Sequence, residues 1–168
     1  MAATGVEAEA VRPGSDSLSL RFIVTGVIAD LFLPPVTTTE RTDELWRRTC
    51  FEAFLRPSPG TAYYEFNFAP STQWAAYSFT GYRSGMNTVR NMETPHVEVR
   101  SDGGSYELQA SLTLDHLAGL PRDAAWRLGL SAVIEEADGN ISYWALAHPP
   151  GKPDFHHSDC FTLELPSA

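Results

Sequence analysis

The chain has 168 residues, 43% of them hydrophobic and 20% charged, a size and balance suited to one globular domain. Its net charge is −9 with only 12 lysines and arginines, and Arg47-Arg48 is its tightest basic pair. Nucleic acid and anionic membrane surfaces, which need clustered cations, are therefore not expected partners. No apolar run approaches the ~20 residues that cross a bilayer.

Residues 1–17 lack the basic start and apolar centre of a secretory signal and are expected to form a flexible N-terminal tail. Without an export signal, a cytoplasmic location is expected, with Cys50 and Cys160 as two buried reduced thiols rather than a disulfide. Export would reopen that reading together with the sequon Asn140-Ile141-Ser142. Residues 18–168 are read as a single domain.

Residues 18–24 alternate Leu18, Leu20, Phe22 and Val24 with other side chains, which predicts a strand. Residues 28–33 predict a second strand, stopped by Pro34-Pro35. Thr42 to Trp46 has the cap residue and early acids of a helical turn. Strands are predicted over 49–55 and 62–69, broken by Pro57-Ser58-Pro59-Gly60, and over 74–80. Gly81 to Met86 reads as a turn. Asp102-Gly103-Gly104 and Asp138-Gly139 each separate two alternating runs, giving hairpins over 96–114 and 127–147. Residues 114–121 form a connection, 148–159 are irregular, and 161–165 close the chain as a strand. Nine or ten short strands with no long helix predict an all-β, two-sheet antiparallel β-sandwich with one or two helical turns.

In Tyr63-Tyr64-Glu65-Phe66-Asn67-Phe68, the apolar Tyr64, Phe66 and Phe68 share one face and Glu65 and Asn67 the other. Cys50 to Leu55 repeats the arrangement, with Phe51, Ala53 and Leu55 opposite Glu52. Carboxylates and an amide backed by aromatic side chains suit the bridging of adjacent hydroxyls on a small ligand. A solvated outer sheet face, or acids paired with Arg83 or Arg48, is the competing reading. Two carboxylates on adjacent strands also suit glycoside hydrolysis, but nothing in the sequence marks either as an acid with a raised pKa. No nucleophile elbow, phosphate loop, dinucleotide fingerprint or zinc helix is present. No metal site is expected, because His156-His157 with Asp154, Asp159 and Cys160 match no tight ligand spacing.

The segments Leu45 to Phe54, Tyr64 to Pro70 and Trp74 to Tyr77 carry the pattern LW…FE.F…YYEFNF.P…W..Y. Together with Tyr82 to Met86 and Pro153 to His157, they resemble DOMON-like domains, which are similar to family 9 carbohydrate-binding modules; a stand-alone bacterial subgroup is the nearest in kind. The resemblance implies a jelly-roll-type or immunoglobulin-like sandwich that binds a saccharide without catalysis or, in other branches, haem. It implies Glu52, Glu65, Asn67 and Arg83 as polar contacts, Trp74 or Trp144 as stacking rings, and Phe155 and His156 bordering the pocket. No cofactor is expected for the saccharide binder. The haem alternative would use Met86 with His148, His96 or His156 as axial ligands. A protein-interaction module without a small ligand is the third reading, its partner unknown.

Overall fold

A computed structural model of the chain describes residues 1–57, 60–117 and 119–168. The expected Pro57-to-Gly60 break and the 114–121 connection each fall partly outside these residues. In chain order the strands are β1 (Ala3–Val11), β2 (Ser17–Gly26), β3 (Cys50–Pro57), β4 (Tyr63–Phe68), β5 (Trp74–Phe79) and β6 (Asn87–Thr88). They continue with β7 (His96–Ser101), β8 (Ser105–Thr113), β9 (Trp126–Glu135), β10 (Ile141–Ala145) and β11 (Leu163–Leu165). One sheet runs β1-β2-β8-β7; the other runs β10-β9-β3-β4-β5-β6, with β11 also pairing β9. Every strand pair is antiparallel. The protein is a two-sheet β-sandwich.

Alternation decides what each face meets. Leu18, Leu20, Phe22 and Val24 of β2 and Tyr106, Leu108, Ala110 and Leu112 of β8 turn inward. They meet Phe51, Ala53 and Leu55 of β3, Phe66 and Phe68 of β4, and Leu128, Leu130, Ala132 and Ile134 of β9. This interior is one continuous apolar cluster, closed at one end by the fully buried Trp126. The far face of the smaller sheet is polar: Arg21 bridges Glu107 at 3.1 Å and Glu9 at 3.5 Å.

Two expectations are corrected. Residues 3–11, read as part of a flexible tail, form β1 and pair with β2 along their length. Val6, Ala8 and Ala10 lean on the core while Glu7 and Glu9 face outward, a period-two pattern hidden by alanine's small contribution to hydrophobicity. Residues 28–33, read as a strand, instead open with a 3-10 turn over Ile28–Asp30. Ile28 and Leu31 are both buried, and that three-residue spacing suits a tight turn better than a pleat. The turn expected over 42–46 falls at Leu45–Arg47, and a third covers Ser158–Cys160. Cys50 and Cys160 are free, buried thiols.

Candidate functional site

Because β3 and β4 alternate, the second face of the larger sheet has its own population. Cys50, Glu52 and Phe54 of β3 share it with Tyr63, Glu65 and Asn67 of β4, Ala75, Tyr77 and Phe79 of β5, and Ser131 and Val133 of β9. A bare face this apolar would be a liability in water. The segment between β10 and β11 covers it as a strap, seating Phe155, Cys160 and Phe161 in a second apolar cluster with Cys50, Phe54, Tyr63, Tyr77, Phe79 and Val133.

The strap does not cover the face completely. A cavity of about 390 Å³ remains, floored by Glu52, Glu65 and Val133. Phe79, Arg83, Met86, Pro153, Asp154, Phe155 and His156 wall it, and Trp46 and Tyr143 also line it. Trp46 and Tyr143 are 37% and 49% exposed, so each presents ring surface to an incoming molecule. The volume falls within the range of small-ligand sites.

The floor is polar and almost dry. Glu52 and Glu65 are 3% and 5% exposed, and Asn67 is completely buried. In register, Glu52 stands between Asn67 on β4 and Ser131 on β9. Asn67 Nδ2 donates to Glu65 Oε2 at 3.3 Å. The Oδ1 of Asn67 is buried without a hydrogen-bond partner among the described residues, and the Ser131 hydroxyl is buried beside the Glu52 carboxyl. An unpartnered buried oxygen costs stability unless something polar reaches it. Burial first, and then the neighbouring charge of Glu65, pushes Glu52 well above the usual carboxylate range. Glu52 therefore favours its neutral carboxyl form, which donates as well as accepts.

His156 ties the strap to that floor. Its Nδ1 lies 2.7 Å from the Tyr63 hydroxyl and its Nε2 lies 3.3 Å from Glu65 Oε1. The backbone N–H of Arg83 donates to the same tyrosine oxygen at 3.2 Å. With its ring proton on Nε2, His156 donates to Glu65 while Nδ1 accepts from the Tyr63 hydroxyl. Arg83 adopts a left-handed φ of 48°, uncommon for a residue other than glycine, and its guanidinium pairs with Asp154 at 2.8 Å. Although burial pushes Asp154 the other way, hydrogen bonds from Tyr82 and Arg83 hold its carboxyl below the ordinary range. Asp154 also accepts from the backbone N–H of His156 at 3.2 Å, fixing the strap's turn.

Of the eight residues expected at the site, Glu52, Glu65, Arg83, Phe155 and His156 line this one cavity. Asn67 lies beside it as the partner of Glu65. Trp74 and Trp144 do not. Trp74 faces the sandwich interior, 3% exposed, with the Arg41 guanidinium 4.4 Å from its ring centre. Trp144 leans on the interior from β10, its indole N–H donating to Ser142 Oγ at 2.9 Å. Parity assigns both: Trp74 shares its face with Ala76, whereas Tyr143 pairs with Val133 on the cavity face. Among the haem candidates, Met86 and His156 line the cavity, His96 is on β7 of the other sheet, and His148 lies against Phe155. Trp46, Phe79, Val133, Tyr143, Pro153 and Asp154 were not expected as site residues. Alternation along the predicted strand over 74–80 puts Phe79 on the face of Ala75 and Tyr77; nothing in the local sequence marked Trp46.

No family model matches the sequence, and no curated protein matches it. The fold is similar to that of a protein from Bacteroides uniformis provisionally described as carbohydrate-binding. The TM-score is 0.65 at 14% identity, covering 93% of this chain and 75% of that one. Two structures of a family 9 carbohydrate-binding module from Caldicellulosiruptor kristjanssonii, in complex with glucose and with cellotriose, overlap at a TM-score of 0.49 and 8% identity. They cover 89% and 90% of this chain, and 73% and 72% of those chains. The first likeness is one of fold. The other two are too distant to carry an argument.

Proposed function

We propose that this domain binds a saccharide, without catalysis, in the cavity between the outer face of β3–β4 and the strap. The observation that carries the reading is the floor: Glu52 is flanked by the unpartnered Asn67 Oδ1 and by the Ser131 hydroxyl, and Glu65 is held beside it by His156. Two acid side chains, an open amide oxygen and a hydroxyl match a ligand that offers several closely spaced hydroxyls. A purely apolar ligand would leave those groups unsatisfied and pay the desolvation cost. The exposed rings of Trp46 and Tyr143 suit the apolar face of a pyranose, with Arg83 and Asp154 at the mouth for peripheral hydroxyls.

The residues that resemble DOMON-like domains include this floor and the strap, and the Bacteroides uniformis protein of similar fold is described as carbohydrate-binding. A haem ligated by Met86 would take His156 or His148 as its second ligand. Both ring nitrogens of His156 are already engaged, by Tyr63 and Glu65, which weighs against that alternative. A protein-interaction surface needs neither the buried acids nor the open amide oxygen.

The test is a glycan array followed by calorimetric titration of the best neutral saccharide. Glu52→Ala and Trp46→Ala should each weaken binding roughly tenfold, the scale of one buried hydrogen bond or one stacking ring. Absence of retention by every saccharide, or wild-type affinity in both variants, would remove the reading.

A further inference from the structure

We propose that a second chamber, across His156 from the first, receives a carboxylate carried by the bound saccharide and held by Arg56; this rests on the saccharide reading above. The chamber has a volume of about 380 Å³ and is lined by Arg56, Thr61, Tyr63, Tyr82 and Phe161 from the sheet and strap, with His157 at its edge. His156 lines both spaces, so one imidazole separates them.

The two chambers differ in charge. Glu52, Glu65 and Asp154 line the first, against Arg83 alone. Among the described residues no acidic side chain lines the second, and Arg56 is its arginine. Arg56 makes no ion pair among the described residues; its guanidinium carbon lies 5.3 Å from the Phe161 ring centre. Other arginines of this acidic chain do find partners: Arg83 with Asp154, Arg48 with Glu135, Arg21 with Glu107, Arg122 with Asp16.

Arg56 is also placed against its own sign. The β3–β9 register sets Arg127 directly opposite it. Like charges at a direct cross-strand position repel. Across β11, Glu164 is in register with Arg127, without an ion pair between them among the described residues. Arg127 further donates to the Phe161 carbonyl at 3.4 Å. Of the two cations only Arg56 lines the chamber, with the Tyr63 and Tyr82 rings and the Thr61 hydroxyl. A single guanidinium suits a planar monoanion, which it grips through two parallel N–H bonds. A dianion such as a phosphate monoester would call for a second cation lining the chamber. The geometry therefore selects a uronate residue, its neutral neighbour seated over Glu52 and Glu65.

The experiment titrates the full chain with three matched disaccharides by calorimetry: a neutral one, its 6-carboxylate (uronate) form and its 6-phosphate form. Wild type should prefer the uronate over the neutral form by roughly tenfold, with the preference shrinking as salt rises. Arg56→Gln should abolish that preference while leaving neutral affinity unchanged, and Arg56→Lys should keep only part of it. Equal affinity for uronate and neutral forms, or a preference that survives in Arg56→Gln, overturns the second chamber and leaves the saccharide reading standing. Tighter binding of the phosphate than of the uronate overturns the monoanion assignment. No binding of any of the three, with the wild-type chain also retained by nothing on the glycan array, overturns both.

Discussion

His156 reaches down from the strap to the buried Glu65, its Nε2 3.3 Å from Oε1. The contact joins the sheet floor to the segment that roofs it, so the depth of the recess and the position of its acid are set together. The T-shaped contacts of the imidazole with Phe54 and Phe79, at 4.9 and 5.2 Å between ring centres, hold the ring upright for that bond. Replacing His156 with alanine leaves Glu65 Oε1 and the Tyr63 hydroxyl without this partner in a nearly dry site. The expected loss is about 1–3 kcal/mol in urea denaturation. Amide exchange should quicken across residues 150–161 while β1 and β2 keep their protection. Unchanged exchange in the strap would show that the apolar contacts of Phe155 and Phe161 hold it without the histidine.

Glu52 gives a pH signature with a definite sign. Its folded-state pKa is raised by burial and then by the charge of Glu65, from an ordinary value of 4.5. Below 4.5 the carboxyl is protonated in folded and unfolded chains alike, and it costs nothing. As pH rises from there toward the raised folded value, the unfolded chain releases the proton and the folded one retains it, so stability is lost through that window. Glu52→Gln removes the titration. The melting temperature of the variant relative to wild type should therefore climb as pH rises above about 4.5. A difference that is flat with pH, or that runs the other way, would mean the carboxyl is not held neutral.

The tryptophans separate by face. Trp46 is 37% exposed at the cavity and meets Tyr77 edge-on at 6.0 Å, whereas Trp74 is 3% exposed in the interior. Trp46→Ala should cost under about 1 kcal/mol of stability and still weaken ligand binding. Trp74→Ala should cost about 3–5 kcal/mol through the cavity it leaves, as for other large core side chains. Differential scanning calorimetry of the two variants, beside their ligand titrations, reads both effects. The assignment of roles fails if Trp46→Ala is the variant that loses stability.

The sandwich and the floor of the site were legible because both depend on alternation. The rows Phe51-Ala53-Leu55 and Phe66-Phe68 reach the interior, and Glu52, Glu65 and Asn67 emerge together on the other side. Period two is fixed by the pleat and needs no tertiary information. What alternation cannot supply is the identity of each face's neighbour. Ala75, Tyr77 and Phe79 shared one face in the sequence as in the fold, yet only the strap reveals that this face is the cavity side. Trp74 was drawn toward the ligand by its aromatic character, and its parity with Ala76 sends it inward. β1 was missed for a related reason: alanines alternating with glutamates carry too little apolar signal to distinguish a strand from a tail, and pairing with β2 decides the matter. Asp154, Phe155 and His156 sit in a proline-rich loop with no period at all, so their placement rests on the contacts of the folded chain.

Gly129 tests how closely the strap lies on the sheet. It stands opposite Phe54 across β3–β9, on the cavity face. A methyl group added there would meet Phe161 Cδ1 at 2.9 Å and the Cys160 carbonyl oxygen at 3.1 Å. Two effects oppose each other in Gly129→Ala. Restricting the unfolded chain stabilises by about 0.4–1 kcal/mol, whereas forcing a methyl into a filled space costs about 1–3 kcal/mol. The Cys160 oxygen is backbone, so the strap must move to relieve the contact, and overpacking should win. A net destabilisation of about 1–2 kcal/mol is expected, together with weaker ligand binding because His156 shifts with the strap. Gly103→Ala is the control, since its added methyl meets nothing within 4 Å, and its effect should stay within about 0.5 kcal/mol. If Gly129→Ala is as silent as the control, Phe161 does not lie against β9 and the roof of the recess is built differently.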